Sequence, residues 1–279
     1  MATRLADVLF QRLDELRYEP VQKRVRALLD GSPAVDSAHA VLIWEPRRVV
    51  PQYAVPVADV LGELLPAAPH AGNRHGPGGQ PLGPGRMEVL TPDTGFGVHS
   101  AEGAPLTVRL GATERVGAAF RPDDPSLDGY VALDFDAFDT WLEEDEQIVS
   151  HPRDPFHRID VRQSSRHVRI ELDGHVLAES GRPHMLFETS LPARFYLPIG
   201  DVDTDLLQAS PTTTACAYKG VATYLTATLS GRTVPDVAWS YPDPLPDAVQ
   251  IADLVSFFTE RVDLVLDGVA VERPITPWS

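Results

Sequence analysis

Cys216, the only cysteine of the chain, and Lys219, one of its two lysines, lie three positions apart in "TTTACAYKGVATY", residues 212–224. Thiols and amines are the groups whose reactivity burial tunes most readily. In an apolar pocket the Lys219 ammonium would lose hydration and its pKa would fall. The free amine could then act as a general base or form a Schiff base with a carbonyl. Kept charged, Lys219 could instead clamp a carboxylate or phosphate together with Arg194. The plain structural alternative is a salt bridge to Glu188. That carboxyl sits in the apolar stretch "HMLFE" and, unpaired, would have a raised pKa suited to a general acid. Tyr218, Tyr224, Trp239 and Tyr241 could line a pocket for a flat or cationic ligand, or could form a core cluster. Tyr196 belongs with them as a candidate ligand contact. In extended chain Cys216 and Tyr218 share one face and Lys219 takes the other, which separates thiol from amine unless the chain turns near Gly220. Cys216 is expected to pack as a small hydrophobe.

A self-comparison shows what must position these groups. "VRALLDGSPAVDSAHAVLIWE" (25–45) aligns without a gap on "VRIELDGHVLAESGRPHMLFE" (168–188), so Glu45 recurs as Glu188, and Tyr53 recurs as Tyr196 at the same spacing of 143. Further on, residues 91–111 meet 210–230 at a spacing of 119, which places an insertion in the first copy, within the Pro/Gly-rich 66–86. Two tandem domains follow: 21–148 and 149–279, preceded by an N-terminal helix over 1–20. On that helix Leu5, Val8, Leu9, Leu13 and Leu16 share one face, which docks on the body of the protein or on a second copy in a homodimer. Positions rich in one copy and bland in the other are candidates for function. Tyr218 and Lys219 stand opposite His99 and Ser100, Arg194 opposite Pro51, and Trp239 and Tyr241 opposite Phe120 and Pro122. A site in the second copy is the economical reading, whereas Glu188 and Tyr196, being repeated, have a structural alternative.

The fold class is all-β. "HVRIELDGHVLAES" alternates apolar and polar residues around Asp173-Gly174, a pair that favours a type I′ hairpin turn, and "ATYLTATLSGRTVPDVAWSY" repeats the pattern around Ser230-Gly231. The net charge of −16 disfavours nucleic acid and anionic membranes as partners and leaves a small-molecule ligand. No apolar run is long enough to span a bilayer, and the N-terminus lacks a signal-peptide pattern, so the expected compartment is the cytoplasm. One cysteine excludes an internal disulfide and a multi-cysteine zinc site. His70 and His75 lie in the Pro/Gly-rich insertion. His151 and His157 flank "PRDPF" with no further ligands to complete a metal site, so neither metal nor cofactor is expected. The acidic stretch 121–146 reads as a solvated face.

The motifs "HPRDPFHRIDV", "VRIELDGHVLAES", "LFETSLPARFYLP", "CAYKGVATY" and "AWSYPDPLPDA" occur in order over about 151–279 and resemble the domain of unknown function 427 family, sometimes labelled putative nucleotidyltransferases. The first copy resembles it through "VLIWEPRRVVPQYAVP". The resemblance implies a compact β-tent-like fold, often duplicated in actinobacterial proteins. It implies no established activity. No phosphate-cradling Gly-rich loop and no carboxylate pair spaced for magnesium accompanies the label. An enzyme acting on a small anionic or carbonyl metabolite, a non-catalytic binding module and an interaction scaffold all remain open at this level.

Overall fold

The computed structural model describes residues 2–3, 7–8, 11–67, 80–82, 87–229 and 231–276. Contacts divide the chain into two compact units, residues 1–154 and 155–279, and both are built from strands.

In the first unit the strands are β1 (Arg17–Pro20), β2 (Val25–Leu29), β3 (Ser32–Ser37), β4 (Val41–Trp44), β5 (Gln52–Pro56) and β6 (Glu63–Pro66). They continue as β7 (Gln80–Leu82), β8 (Met87–Val89), β9 (Gly103–Leu110), β10 (Thr113–Pro122), β11 (Tyr130–Leu133), β12 (Thr140–Glu143) and β13 (Glu146–Ile148). The second unit has β14 (Ile159–Gln163), β15 (Val168–Leu172), β16 (His175–Ser180), β17 (His184–Glu188) and β18 (Arg194–Pro198). After these come β19 (Leu207–Cys216), β20 (Gly220–Leu229), β21 (Arg232–Ser240), β22 (Leu254–Phe257), β23 (Asp263–Leu266) and β24 (Val269–Val271).

Each unit pairs a seven-stranded sheet with a four-stranded one. The large sheets run β1-β4-β5-β11-β10-β9-β6 and β14-β17-β18-β22-β21-β20-β19, and the small ones β13-β12-β2-β3 and β16-β15-β23-β24. The two orders are the same once each strand is matched to its counterpart, as a tandem duplication requires. Local chemistry repeats as well. Asp30-Gly31 has φ of 48° and 73° and Asp173-Gly174 has 50° and 79°, the pair of positive angles that a type I′ turn demands. Ser37 donates to Asp59 and Ser180 to Asp201, at 2.6 and 2.7 Å.

Alternation decides which side chains meet. In β15 the pattern buries Val168, Ile170 and Leu172 against Phe195, Leu197, Val237, Val255 and Phe257 of the large sheet, forming the core between the sheets. The intervening residues of the large sheet face the other way. There Leu186, Tyr196, Trp239 and Tyr241 form a second layer, closed by Ala248 and Ile251 of a 3₁₀ segment, Pro246–Ile251. The candidate site lies in this outer layer.

Register corrects one sequence alignment. Tyr53 pairs with Leu42, and Phe195 with Met185, so Tyr53 corresponds to Phe195. Tyr196 occupies the place of Ala54, and Arg194 that of Gln52 rather than Pro51. The connection between the two strands is one residue shorter in the second copy, and a one-residue slip moves a side chain to the opposite face. Tyr196 is therefore not a repeated residue.

The N-terminal region also differs from expectation. Residues 7 and 8 are helical, but Arg17–Pro20 is a strand paired with β4. Leu5 and Leu9 lie outside the described residues. So does Ser230, and so does most of the insertion, of which Gln80–Leu82 forms a two-stranded ribbon with Met87–Val89. No helix among the described residues is long and apolar enough to cross a membrane.

Candidate functional site

The chain is not extended through Lys219 but turns just before Gly220, and this decides how the thiol and amine are placed. β19 ends at Cys216, residues 217–219 form the turn, and Cys216 pairs with Gly220 as β20 begins. Gly220 adopts φ +96°, and a Cβ there would come within 3.2 Å of the Asp243 carbonyl oxygen. Both reasons call for glycine. The turn folds Tyr218 and Lys219 together into the outer layer, where they are 5% and 8% exposed. Cys216 is half-buried and packs against that layer.

Lys219 Nζ donates to Glu188 Oε2 at 2.6 Å, and the other carboxylate oxygen lies 3.0 Å from His157 Nε2. Burial by itself would push the Glu188 carboxyl up. The Lys219 ammonium and the bond from His157 overcome that and hold it at about 2. Burial would likewise push Lys219 down, but the Glu188 carboxylate outweighs it and raises the ammonium above its ordinary value. The lowered amine pKa anticipated from the apolar sequence context is thus corrected: Lys219 is an ion-paired ammonium, because β17 delivers a carboxylate into the same layer. Glu188, being ionised, accepts hydrogen bonds and holds no proton to donate as an acid.

Arg194 has its own partner. Its guanidinium makes a bidentate pair with Glu260, at 2.7 and 2.6 Å, and bonds Thr259 Oγ1 at 3.1 Å. Burial would raise Glu260, but the hydrogen bonds from Arg194 and Thr276 pull it below the usual carboxylate range. A joint Arg194–Lys219 clamp on one anion is not what the fold builds, since each cation already holds a carboxylate.

The aromatic candidates come together, as packing. Trp239 Nε1 donates to the Tyr196 hydroxyl at 3.0 Å, and the Trp239 ring lies 4.5 Å from Phe258. Tyr196 and Tyr241 are almost fully buried, and burial raises both phenols. Tyr224 stacks on Phe258 at 6.3 Å and shares a hydrogen bond with Thr214.

Sequence reasoning gave His157 no place in this cluster. Its partner lies 31 residues away and is reached only because β14 pairs with β17, Ile159 opposite Glu188. The ring packs on Tyr218 with centroids 4.5 Å apart, and its side chain is 21% exposed. With Nε2 on the carboxylate, Nδ1 has no hydrogen-bond partner among the described residues and is not one of the fully buried unpaired atoms. The only signal in the sequence was the pair of histidines around "PRDPF", weighed there as metal ligands and set aside for want of further ligands. Among the described residues no group of three His, Cys, Asp or Glu is placed to hold a metal ion.

The first unit provides the contrast. Glu45, fully buried, accepts from the backbone N–H groups of Ser100 and Ala101 at 2.8 and 3.0 Å and meets His99 Nδ1 at 3.0 Å. His99 reaches its carboxylate from the opposite part of the chain, stacks 3.8 Å from Phe120, and has its remaining nitrogen buried without a partner. That arrangement ties down a loop. In the second unit Lys219 replaces the backbone donors, and the histidine comes to the surface.

Residues 160–268 match the model of a family described as a domain of unknown function (DUF427). The match lies within the C-terminal unit and includes Glu188, Arg194, Tyr196, Tyr218, Lys219, Trp239 and Tyr241 while stopping short of His157. No curated protein matches the chain.

Proposed function

We propose that the C-terminal unit of this chain acts on a small molecule by general acid–base catalysis, with His157 exchanging the proton and Glu188 fixing its ring. One observation carries the reading: a buried, ionised carboxylate holds Nε2 of a partly exposed imidazole, leaving Nδ1 without a partner among the described residues. A carboxylate that orients a histidine in this way selects the Nε2–H tautomer and leaves a lone pair on Nδ1 to take a proton. Lys219 is a positioning residue. It balances the charge of Glu188 and fixes the carboxylate from the far side. The substrate is a small molecule presenting an acidic O–H, N–H or C–H at Nδ1.

A non-catalytic binding module is the second reading, favoured by the mutual saturation of Lys219 with Glu188 and of Arg194 with Glu260. A metabolite screen by ligand-observed NMR, followed by turnover assays on every hit, separates the two. His157→Gln is expected to keep the fold and lower turnover by about 10²–10⁴-fold, the usual span for a general base. Ligands that bind at His157 and are never turned over would establish the binding module instead.

A further inference from the structure

In the first unit, the outer face of the large sheet carries a groove of about 330 Å³. Its lining includes the buried Val41 and Leu127, the rings of Tyr18 and Tyr130, and the exposed His39 and Ser126. The duplication explains why it is open. Tyr18 pairs with Ile43, and Val161 pairs with Leu186, so Val161 is the counterpart of Tyr18. In the second unit Val161 is covered by Ala248 and Ile251 from the 3₁₀ segment Pro246–Ile251. The matching segment of the first unit, Pro125–Leu127, is a single turn, and only residues 123–129 join β10 to β11, against 241–253 for β21 to β22. The filler is missing, and Tyr18 stands 48% exposed where its counterpart is buried.

The volume is within the range of small-ligand sites. The chemistry of the wall selects the ligand. Among the described residues no lysine or arginine lines the groove, two phenol rings do, and the Tyr130 hydroxyl is anchored on the His39 carbonyl at 3.3 Å. The chain as a whole carries a net charge of −16, which adds a negative field around the groove. Aromatic faces in such a field attract an organic ammonium whose apolar body can cover the buried lining. We propose that this groove is a second small-molecule site, independent of His157, that takes an alkyl- or arylammonium ligand, its cation between Tyr18 and Tyr130.

Titration of the full chain with benzyltrimethylammonium, followed by NMR and calorimetry, tests this, with benzyl alcohol and benzoate as neutral and anionic counterparts. The ammonium is expected to bind saturably with a Kd at or below about 1 mM, perturbing Tyr18, Val41, Leu127 and Tyr130. It should bind about tenfold more tightly than the alcohol. Tyr18→Ala, at an exposed edge-strand position, should weaken it about tenfold, and Ser126→Trp, which places a ring into the groove from an exposed position, should abolish it. Thermal melts of both variants confirm that they fold. Absence of saturable binding overturns the proposal. So does equal binding of alcohol or benzoate, or ammonium binding indifferent to both substitutions.

Discussion

Replacing Glu188 by Gln removes the charge that organises the outer layer of the second unit while keeping its shape. A carboxyl whose pKa falls from its ordinary 4.5 to about 2 on folding favours the folded state by about 3 kcal/mol once ionised. Its side chain is 9% exposed, so solvent screening removes little of this. The sign is that of a depressed carboxyl: the contribution is present above about pH 4.5 and is lost as pH falls toward 2. Glu188→Gln also strands the Lys219 ammonium, and breaking a buried pair costs roughly 3–5 kcal/mol by itself. These are two views of one interaction and do not add. Urea unfolding at pH 7 should therefore show a loss of about 3 kcal/mol, with the gap between wild type and variant closing below pH 4. Lys219→Met should cost a similar amount, and the double variant Glu188→Gln/Lys219→Met much less than the sum of the singles. A loss under about 1 kcal/mol at pH 7, or additive singles, would refute the claim that this pair is buried and coupled.

Three further outcomes are expected. Arg194→Met leaves Glu260 buried without its bidentate partner and should destabilise the protein by about 3–5 kcal/mol in denaturant titrations, with Arg194→Met/Glu260→Met recovering most of the loss. Ser256 is fully buried between Tyr196 and Trp239 with no partner for its hydroxyl among the described residues, so Ser256→Ala should be neutral or stabilising by up to about 1 kcal/mol; a clear loss on melting would contradict this. Gly220→Ala forces a side chain into φ +96° and against the Asp243 carbonyl, and should cost about 1–3 kcal/mol by thermal melting while shifting the NMR signals of Lys219.

The duplication was legible because the stretch that repeats without a gap, 25–45 against 168–188, is one hairpin and the strand after it, held in register by Asp-Gly turns. Beyond Glu45 and Glu188 the connection loses a residue. Matching Tyr53 to Tyr196 by type then selects the wrong face, since the strand period is two. The ion pair of Lys219 with Glu188 was one of three alternatives in the sequence, and choosing among them required knowing that residues 217–219 turn. His157 was not legible as a partner of Glu188. Their proximity comes from strand pairing between segments that share no local motif, and the duplicated copy supplies its histidine from a different loop, at His99.

The central claim is that Glu188 holds His157 with its other nitrogen free to take a proton. Two-dimensional ¹H–¹⁵N NMR of the imidazole reads this directly. The expected result is the Nε2–H tautomer for the neutral imidazole, with an Nδ1 signal that shifts on adding any metabolite the protein turns over, and loss of that tautomer preference in Glu188→Gln. An Nδ1–H tautomer in the wild type, or an imidazole indifferent to both Glu188→Gln and substrate, would contradict it.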